Sequence, residues 1–395
     1  MKLIEFIQQN ENWQDALADN PYNLKIKQHP EHKDHFMFSY DMIRSNFHNE
    51  ICREARGVIL YIDRERKYIA VKSRAFNKFG NHGESYADKI DTKTMYVREK
   101  LDGSLIKLHF NFGKWIWTTN NGFDANVELP GFFPVCDEPG TRDAKTFQDL
   151  IDYALTKNPI DYDYLSTEMT YIFELTSPMN RIVVPYTETK LWLLGARQNI
   201  TGAEFTPEEL HDIIMCKGFD YPKKITTAQR LDMYIVKAAQ LGADAEGFVV
   251  CDENFNRVKI KGPAYVTAHK IKGEQQLSYK HLFESLIEGT IDDILGIFPE
   301  YAEPIGRVIE AYNILYNSLK MGLEMCEKEW QKIIMKPPFD THKKRYAAYV
   351  LPTFQWMQSA AFDLCKEITI DEAINKFVNK LDYAKFCELS GFKEA

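Results

Sequence analysis

The sequence of 395 residues predicts an α+β fold in two parts, an antiparallel-sheet domain over 1–274 and an all-α C-terminal domain over 275–395. Three observations carry this expectation. Short alternating runs of apolar and polar residues recur from the start to about residue 262, helical periodicity replaces them beyond a turn-like stretch at 270–276, and a helix-start signal recurs inside the second part. A composition of 45% hydrophobic and 27% charged residues belongs to a globular chain that can bury a sizeable core, which excludes disorder for most of it.

In chain order, strands are expected at GVILYI, KYIAVKS, MYVREKLDGSLIKLHF, YIFELTS, KLWLLGAR, GFVVCDE and RVKIKG. Residues 145–156 read as a helix, and two more are expected between Thr206 and Leu241. The first of those opens on Thr206-Pro207-Glu208-Glu209, a cap residue followed by proline at the first helical position and glutamate at the third. The stretch around ELPGFFPVCDEPGT, within 122–164, is loop-like and has no evident role. In the second part helices are expected over 279–298, 305–335, 343–365 and 371–389, with Thr369 and Glu372 forming a capping box.

Several function classes are excluded early. No apolar run approaches the roughly 20 residues of a membrane span, and the start MKLIEFIQQNENWQ turns polar too early for a secretory signal, so a soluble cytoplasmic protein with no membrane partner is expected. Seven scattered cysteines without a CxxC pair suggest neither a disulfide framework nor a zinc knuckle. The net charge of -8, from 49 basic and 57 acidic residues, means that bulk attraction to a polyanion does not organise the molecule. The helical part, with 14 basic and 18 acidic residues, is no exception, although His342-Lys343-Lys344-Arg345, with Lys332 and Lys336 upstream, forms either a phosphate contact or a solvated helix start. His29, His32 and His35 share a three-residue spacing, but Pro30 argues against the helix that would align them as metal ligands, leaving a polar loop. Trp115 and Trp117 could stack on bases, but their alternation fits one core-facing side of a strand better.

Taken alone, Lys100-Leu101-Asp102-Gly103 reads as a hairpin whose Asp-Gly pair supplies the positive φ of a tight turn. Glu174 sits in one strand-like run and Glu246 opens another, while Lys259 and Lys261 alternate and so share one strand face. Two same-face lysines near a third are costly unless they face water or an anion neutralises them.

Taken in order, REARGVIL, SRAFNKFGN, EKLDGSL, FELTSPMNRIVVPY, AEGFVV and KIKGPAYVTAH resemble the motif series of the covalent nucleotidyltransferases. Within that superfamily the strings are most similar to the RNA ligase 1 family of the T-even phages, over about 40–269. The resemblance implies that 1–274 is an adenylyltransferase domain and that Lys100 attacks the α-phosphate of ATP, the co-substrate, with Mg2+ or Mn2+ as cofactor. A lysine of pKa ~10.4 is only about one part in a thousand neutral near pH 7.4, so its activation calls for desolvation or neighbouring positive charge, of which Lys259 and Lys261 are the expected source. By the same resemblance Lys259 and Lys261 bind the α-phosphate, Gly103 keeps its loop tight, Glu174 contacts the ribose, and Arg56 and Lys78 grip the β- and γ-phosphates. Glu246, supported by Asp102, would hold the metal through water; Tyr40 belongs to the nucleotide pocket, and Tyr265 is either a motif residue or a structural tyrosine.

Two departures stand out. A lysine-bearing segment of the family corresponds here to TTNNG at 118–122, and paired phenylalanines after the Lys78 position become Phe79-Gly80. The implied partner is RNA, as tRNA or single-stranded ends, joined 5′-phosphate to 3′-hydroxyl by a monomer, with a separate kinase-phosphatase to heal the ends and the helical part helping to select the substrate. A DNA ligase, a capping guanylyltransferase or an inactive RNA-binding relative are the alternatives.

Overall fold

The computed structural model describes residues 1–394 apart from 64, 66, 130–137, 212–219, 223, 226–229, 273–276, 299–300, 334–343, 345–346, 349–354 and 365–367. The chain divides into two compact units, Met1–Gln276 and Leu277–Ala395. No helix among the described residues is long and apolar enough to cross a membrane.

The first unit is built on three antiparallel sheets. Strands β1 (Leu24–Gln28), β2 (His35–Tyr40), β3 (Arg56–Asp63) and β4 (Tyr68–Ser73) form one sheet in sequence order. They are followed by β5 (Tyr96–Lys100), β6 (Ser104–Asn111), β7 (Lys114–Thr118), β8 (Met169–Thr176), β9 (Lys190–Gln198), β10 (Lys224–Ile225), β11 (Gly247–Cys251) and β12 (Arg257–Lys261). These make a second sheet, β7-β6-β8-β9, and a third, β10-β5-β11-β12.

The KLDG segment is therefore not a hairpin. It leaves β5 in the third sheet and enters β6 in the second, so the two strands that flank it do not pair. Gly103 is not among the glycines of positive φ. What requires a glycine there is proximity, since a Cβ would stand 2.3 Å from the carbonyl oxygen of Leu175.

Strand β8 is buried along its whole length because both its faces are covered. Tyr171, Phe173 and Leu175 pack on one side with Phe147, Leu150, Ile151 and Ala154 of helix Phe147–Lys157. Ile172 packs with Phe76 and Phe79 on the opposite side, and by the two-residue period of a strand Glu174 shares that face. The helix covering β8 starts where Thr146 and Asp149 close a capping box, Asp149 N donating to Thr146 Oγ1 at 3.2 Å and Thr146 N to Asp149 Oδ2 at 2.8 Å. Trp117 belongs to the same core and Trp115 packs against it.

The Thr206 and Glu209 pair forms its box as well, at the start of a helix described as far as residue 211; 212–219 lie outside the described residues. The expected second helix of that region is Leu231–Ala239. The stretch expected as a turn at 270–276 begins inside helix Pro263–Lys272, and its remainder is outside the described residues. His35 opens β2 and is buried, so the polar loop expected at the histidine cluster ends before it. Of the loop-like stretch, 130–137 lie outside the described residues.

In the second unit, the helix expected over 279–298 is broken at Gly289, whose φ of 74° ends Tyr279–Glu288 before Ile291–Ile297 begins. A long helix, Ala302–Ile333, follows. Thr369 and Glu372 form the expected capping box of Ile370–Val378, but Asp382 caps a separate helix, Tyr383–Ser390. Of the helix expected at 343–365 the described part includes Gln358–Asp363, and of the basic stretch at 342–345 only Lys344 is described. Phe283 and Phe386 stack at 4.2 Å in this core.

Candidate active site

Three strand ends bring the expected site residues together. Gly247, at the start of β11, is in register with Lys100 at the end of β5 and with Lys261 at the end of β12. Glu246 therefore emerges between two lysines. Its Oε2 accepts from Lys100 Nζ at 2.6 Å and its Oε1 pairs with Lys261 Nζ at 2.9 Å, with the carboxylate side chain only 2% exposed. Gly247 makes this convergence possible, because its φ of 139° and a distance of 2.0 Å from a Cβ to Ile260 O exclude any other residue.

The electrostatics reverse one expectation. Burial pushes the Lys100 amine toward neutrality, but Glu246, Glu174 and the hydrogen bond to Glu246 outweigh it, and its pKa is raised above the ordinary lysine value. The resting Lys100 is a charged ion-pair partner, not the neutral amine expected from cationic surroundings. The amine that is depressed belongs to Lys259, brought down to about 6 by burial and then by Lys78, Arg56, Lys100 and Lys261. Burial and Arg56 likewise bring Lys78 down to about 8. Glu174 goes the other way, pushed up to about 7 by burial against the pull of Lys100, with Glu246 adding to the rise.

A cavity of about 310 Å3 opens beside these groups, and Arg56, Lys100, Gly103, Glu174, Lys259 and Phe79 are among the residues that line it. Gly103 N donates to Glu174 Oε1 at 3.0 Å. Arg56 keeps Nε and one terminal nitrogen buried with no hydrogen-bond partner among the described residues, an arrangement that an anion would satisfy. Lys78 is close enough to Arg56 to be lowered further by its charge and to Lys259 to lower that amine in turn, yet it lines a neighbouring cavity with Arg53 and Arg197. Tyr40 does not line the nucleotide-sized cavity; its ring lies 5.7 Å from the Lys78 amine.

Asp102 departs from its expected metal role. Its Oδ2 accepts from the amides of Val183 and Val184, each at 2.8 Å, and its Oδ1 from the Tyr265 hydroxyl at 2.6 Å. The Asp102 amide in turn donates to the Tyr186 hydroxyl at 3.0 Å. Three donors on one 2%-exposed carboxylate make it a clamp that fixes the loop carrying Lys100, and Tyr265 is part of that clamp. The signal for it was present in FELTSPMNRIVVPY, which contains both valines and Tyr186.

One residue escaped sequence reasoning altogether. Lys107 on β6 is fully buried, its amine donates to Gly57 O, and burial together with Arg56 brings it down to about 7. It stands in register with Thr118, so an amine from the adjacent strand ends where TTNNG begins, against Gly57 and Asn120. A lysine inside the apolar run SLIKLHF was the available clue.

Among the described residues no three His, Cys, Asp or Glu side chains gather as a ready-made metal cage. The cluster of Arg56, Lys78 and Lys259 instead predicts anion binding. Sulfate, whose charge is constant across this range, is expected to raise the Tm more near pH 6 than near about pH 9. The sign follows from Lys259: below about 6 its amine is already charged, and above that value anion binding must draw in a proton. Calorimetry against chloride at matched ionic strength measures this, and an equal or larger shift at the higher pH would contradict it.

A family model described as RNA ligase, of the phage T4 RNA ligase 1 type, matches residues 54–265. A protein of Autographa californica nuclear polyhedrosis virus described as a bifunctional polynucleotide kinase/RNA ligase is 31% identical over 340 residues, covering 80% of this chain and 46% of that protein. One of Thermovibrio ammonificans described as an RNA ligase is 28% identical, covering 73% of this chain and 72% of its own length. An RNA ligase of a Rhodothermus phage is 26% identical, covering 66% and 69%. The chain thus spans less than half the length of the baculovirus protein.

Proposed function

Because this chain belongs to the RNA ligase family, we propose that it is an ATP-dependent RNA ligase that joins 5′-phosphate and 3′-hydroxyl ends through AMP carried on Lys100. The observation that supports this most is the Lys100–Glu246–Lys261 ion triad at the rim of a cavity lined by cations and by Glu174. In the first transfer Lys100 Nζ forms a bond to the α-phosphorus of ATP as the bond to the β-phosphate oxygen breaks and pyrophosphate leaves. Glu246 Oε2, already hydrogen-bonded to Nζ, passes the first proton of the charged Lys100 to water, which frees the lone pair, and takes the second as the bond to phosphorus forms. Arg56, Lys78, Lys259 and Lys261 bind the phosphates, and Lys259 regains its charge when an anion arrives. AMP then passes to the RNA 5′-phosphate and is expelled when the 3′-hydroxyl attacks.

The donor set fits a divalent cation. Glu174 and Glu246 are buried carboxylates, and the negative charge of Glu246 helps hold Glu174 at about 7, a repulsion that a cation would relieve. Glu246, with Glu174 beside it, would hold Mg2+ partly through water, where the ion would offset phosphate charge. The substrate in this account is a broken tRNA or single-stranded RNA, prepared by a kinase-phosphatase and selected with help from the unit Leu277–Ala395.

The test is sealing. With ATP and Mg2+, a 5′-labelled phosphorylated RNA is expected to become resistant to phosphatase. Sealing of nicked DNA alone would favour a DNA ligase, transfer from GTP a capping enzyme, and RNA binding without sealing an inactive relative.

A further inference from the structure

Two hairpins of the first unit meet in a cluster of rings. The β1–β2 connection supplies His29 and His32, the β6–β7 turn supplies Phe112, and the chain after β7 supplies Phe123. His29 Nδ1 accepts from the amides of Glu31 and His32, each at 3.1 Å, which folds the connection so that its imidazoles gather. His32 stacks on Phe112, the ring centroids 3.7 Å apart and the planes at 19°. His29 lies 4.8 Å from His32 and 4.8 Å from Phe123, and the buried His35 backs the group, 4.7 Å from Phe112. His32 and Phe112 are exposed, the latter by 39%.

Phe112 is a poor residue for its own turn. Asn111 and Lys114 pair across two residues, Phe112 and Gly113, whose φ values are 51° and 73°. Such a turn suits asparagine followed by glycine, and a bulky side chain at its first position holds strained backbone. What Phe112 contributes is its exposed ring. The imidazoles beside it are neutral near pH 7, since burial and then the charge of His32 lower His29, and burial together with Lys72 brings His35 down to about 4. The surrounding charges are mixed, Lys33 and Lys72 against Glu31, Asp34 and Asp124, so a flat uncharged partner suits the patch better than a bare phosphate. The cluster also adjoins the catalytic cavity. Asn120 lines that cavity with Lys100 and Arg56, and Phe123 follows three residues later, so their Cα atoms stand within about 11 Å of each other. The chain between is tied down: Asn120 O accepts from Ser39 Oγ and Asn121 O from Lys27 Nζ, each at 2.7 Å.

Resting on the ligase function above, we propose that the rings of His29, His32, Phe112 and Phe123 form a stacking platform for an unpaired base of the RNA strand whose end enters the catalytic cavity. A base next to that end lies within reach of the platform and stacks on the exposed His32–Phe112 pair. Every base has a flat face, so the platform grips single strands without reading their sequence. The adenine of ATP offers the same face, and the test must separate the two sources.

Phe112→Asn suits the turn and removes the ring; it is combined with His32→Ala, and Phe112→Tyr is the control that keeps a ring. Fluorescence anisotropy without ATP compares a 5′-phosphorylated single-stranded RNA with a strand of the same length and charge whose terminal nucleotides lack bases. Wild type is expected to bind the base-bearing strand about tenfold more tightly, the double variant to bind the two alike, and Phe112→Tyr to keep the difference. Covalent AMP labelling of the double variant from ATP alone is expected to stay within about twofold of wild type, which also shows that the variant is folded. A wild type that binds both strands equally, or a double variant that keeps the difference, would overturn the proposal. So would a fall in AMP labelling as large as the loss in RNA binding, which would assign the rings to adenine. Failure of the ligase function itself would show separately, as a wild-type protein that takes up no AMP whatever its preference between the strands.

Discussion

Replacing Glu246 by glutamine is expected to lower AMP transfer to Lys100 by about a hundredfold or more, because the atom that takes the amine's proton is lost. The same change leaves Lys100 and Lys261, 19% and 28% exposed, without their shared counter-charge. A cost of about 2 kcal/mol in stability is expected, less than for a fully buried pair because both amines reach water. The pH dependence supplies the sharper check. Glu246 is the largest influence raising the Lys100 pKa, so in the variant that pKa falls and the residual activity should peak at a lower pH than wild type. A labelling rate measured across pH that keeps its optimum, or moves it to higher pH, would show that Glu246 does not govern the proton on Lys100.

Gly247→Ala is the second large effect. A methyl group there would lie 2.0 Å from Ile260 O and 3.0 Å from Lys261 Cα, in a backbone conformation of φ 139° that only glycine adopts readily. Both β11–β12 and β11–β5 pairing must give way, and the residue in register with Lys100 and Lys261 is the one that moves. We expect a loss of about 3 kcal/mol or more in urea unfolding, together with the loss of AMP transfer. Gly83→Ala is the control, since Gly83 also has a positive φ, of 89°, but nothing within 4 Å of an added Cβ. That substitution should cost about 1 kcal/mol. Equal costs at the two glycines would mean that backbone strain, and not the close approach at the triad, is what Gly247 relieves.

How far these features were legible in the sequence depended on whether their cause was local. Strands β3, β4, β8, β9, β11 and β12 announced themselves because each carries a run of residues suited to a half-buried or buried strand. Strand β2 did not, since HFMFSY is buried at nearly every position and lacks the alternation that marks one exposed face. The capping boxes at Thr146, Thr206 and Thr369 are complete within four residues, and all three form, although only the last two were marked from sequence. Gly289 lay inside an apolar period that continued past it, and the left-handed cap it supplies outweighed that period.

The site followed the same division. Lys100, Glu174, Glu246, Lys259 and Lys261 were singled out as residues, but their charge states were not, because those depend on which groups face one another across sheets. Reading KLDG as a hairpin failed for that reason: alternation locates two strands without saying that they enter different sheets. Asp102 was taken for a metal carboxylate, whereas the amides of Val183 and Val184 lie some eighty residues away and meet it only in the fold. Lys107 was passed over because a lysine in a strand ordinarily faces water, and its apolar neighbours in SLIKLHF were the one local mark of its burial.

The depressed pKa of Lys259, about 6, makes it the amine with the larger neutral fraction at neutral pH, so chemistry and geometry point to different nucleophiles. The decisive measurement is the site of AMP attachment. Wild-type protein is incubated with ATP labelled at the α-phosphate and a divalent cation, digested under alkaline conditions that preserve the phosphoramidate, and the labelled peptide is sequenced. We predict that the label resides on Lys100, that it is acid-labile, and that Lys100→Ala removes it. Label on the peptide containing Lys259, or label that survives Lys100→Ala, would contradict the assignment of Lys100 as the residue that carries AMP.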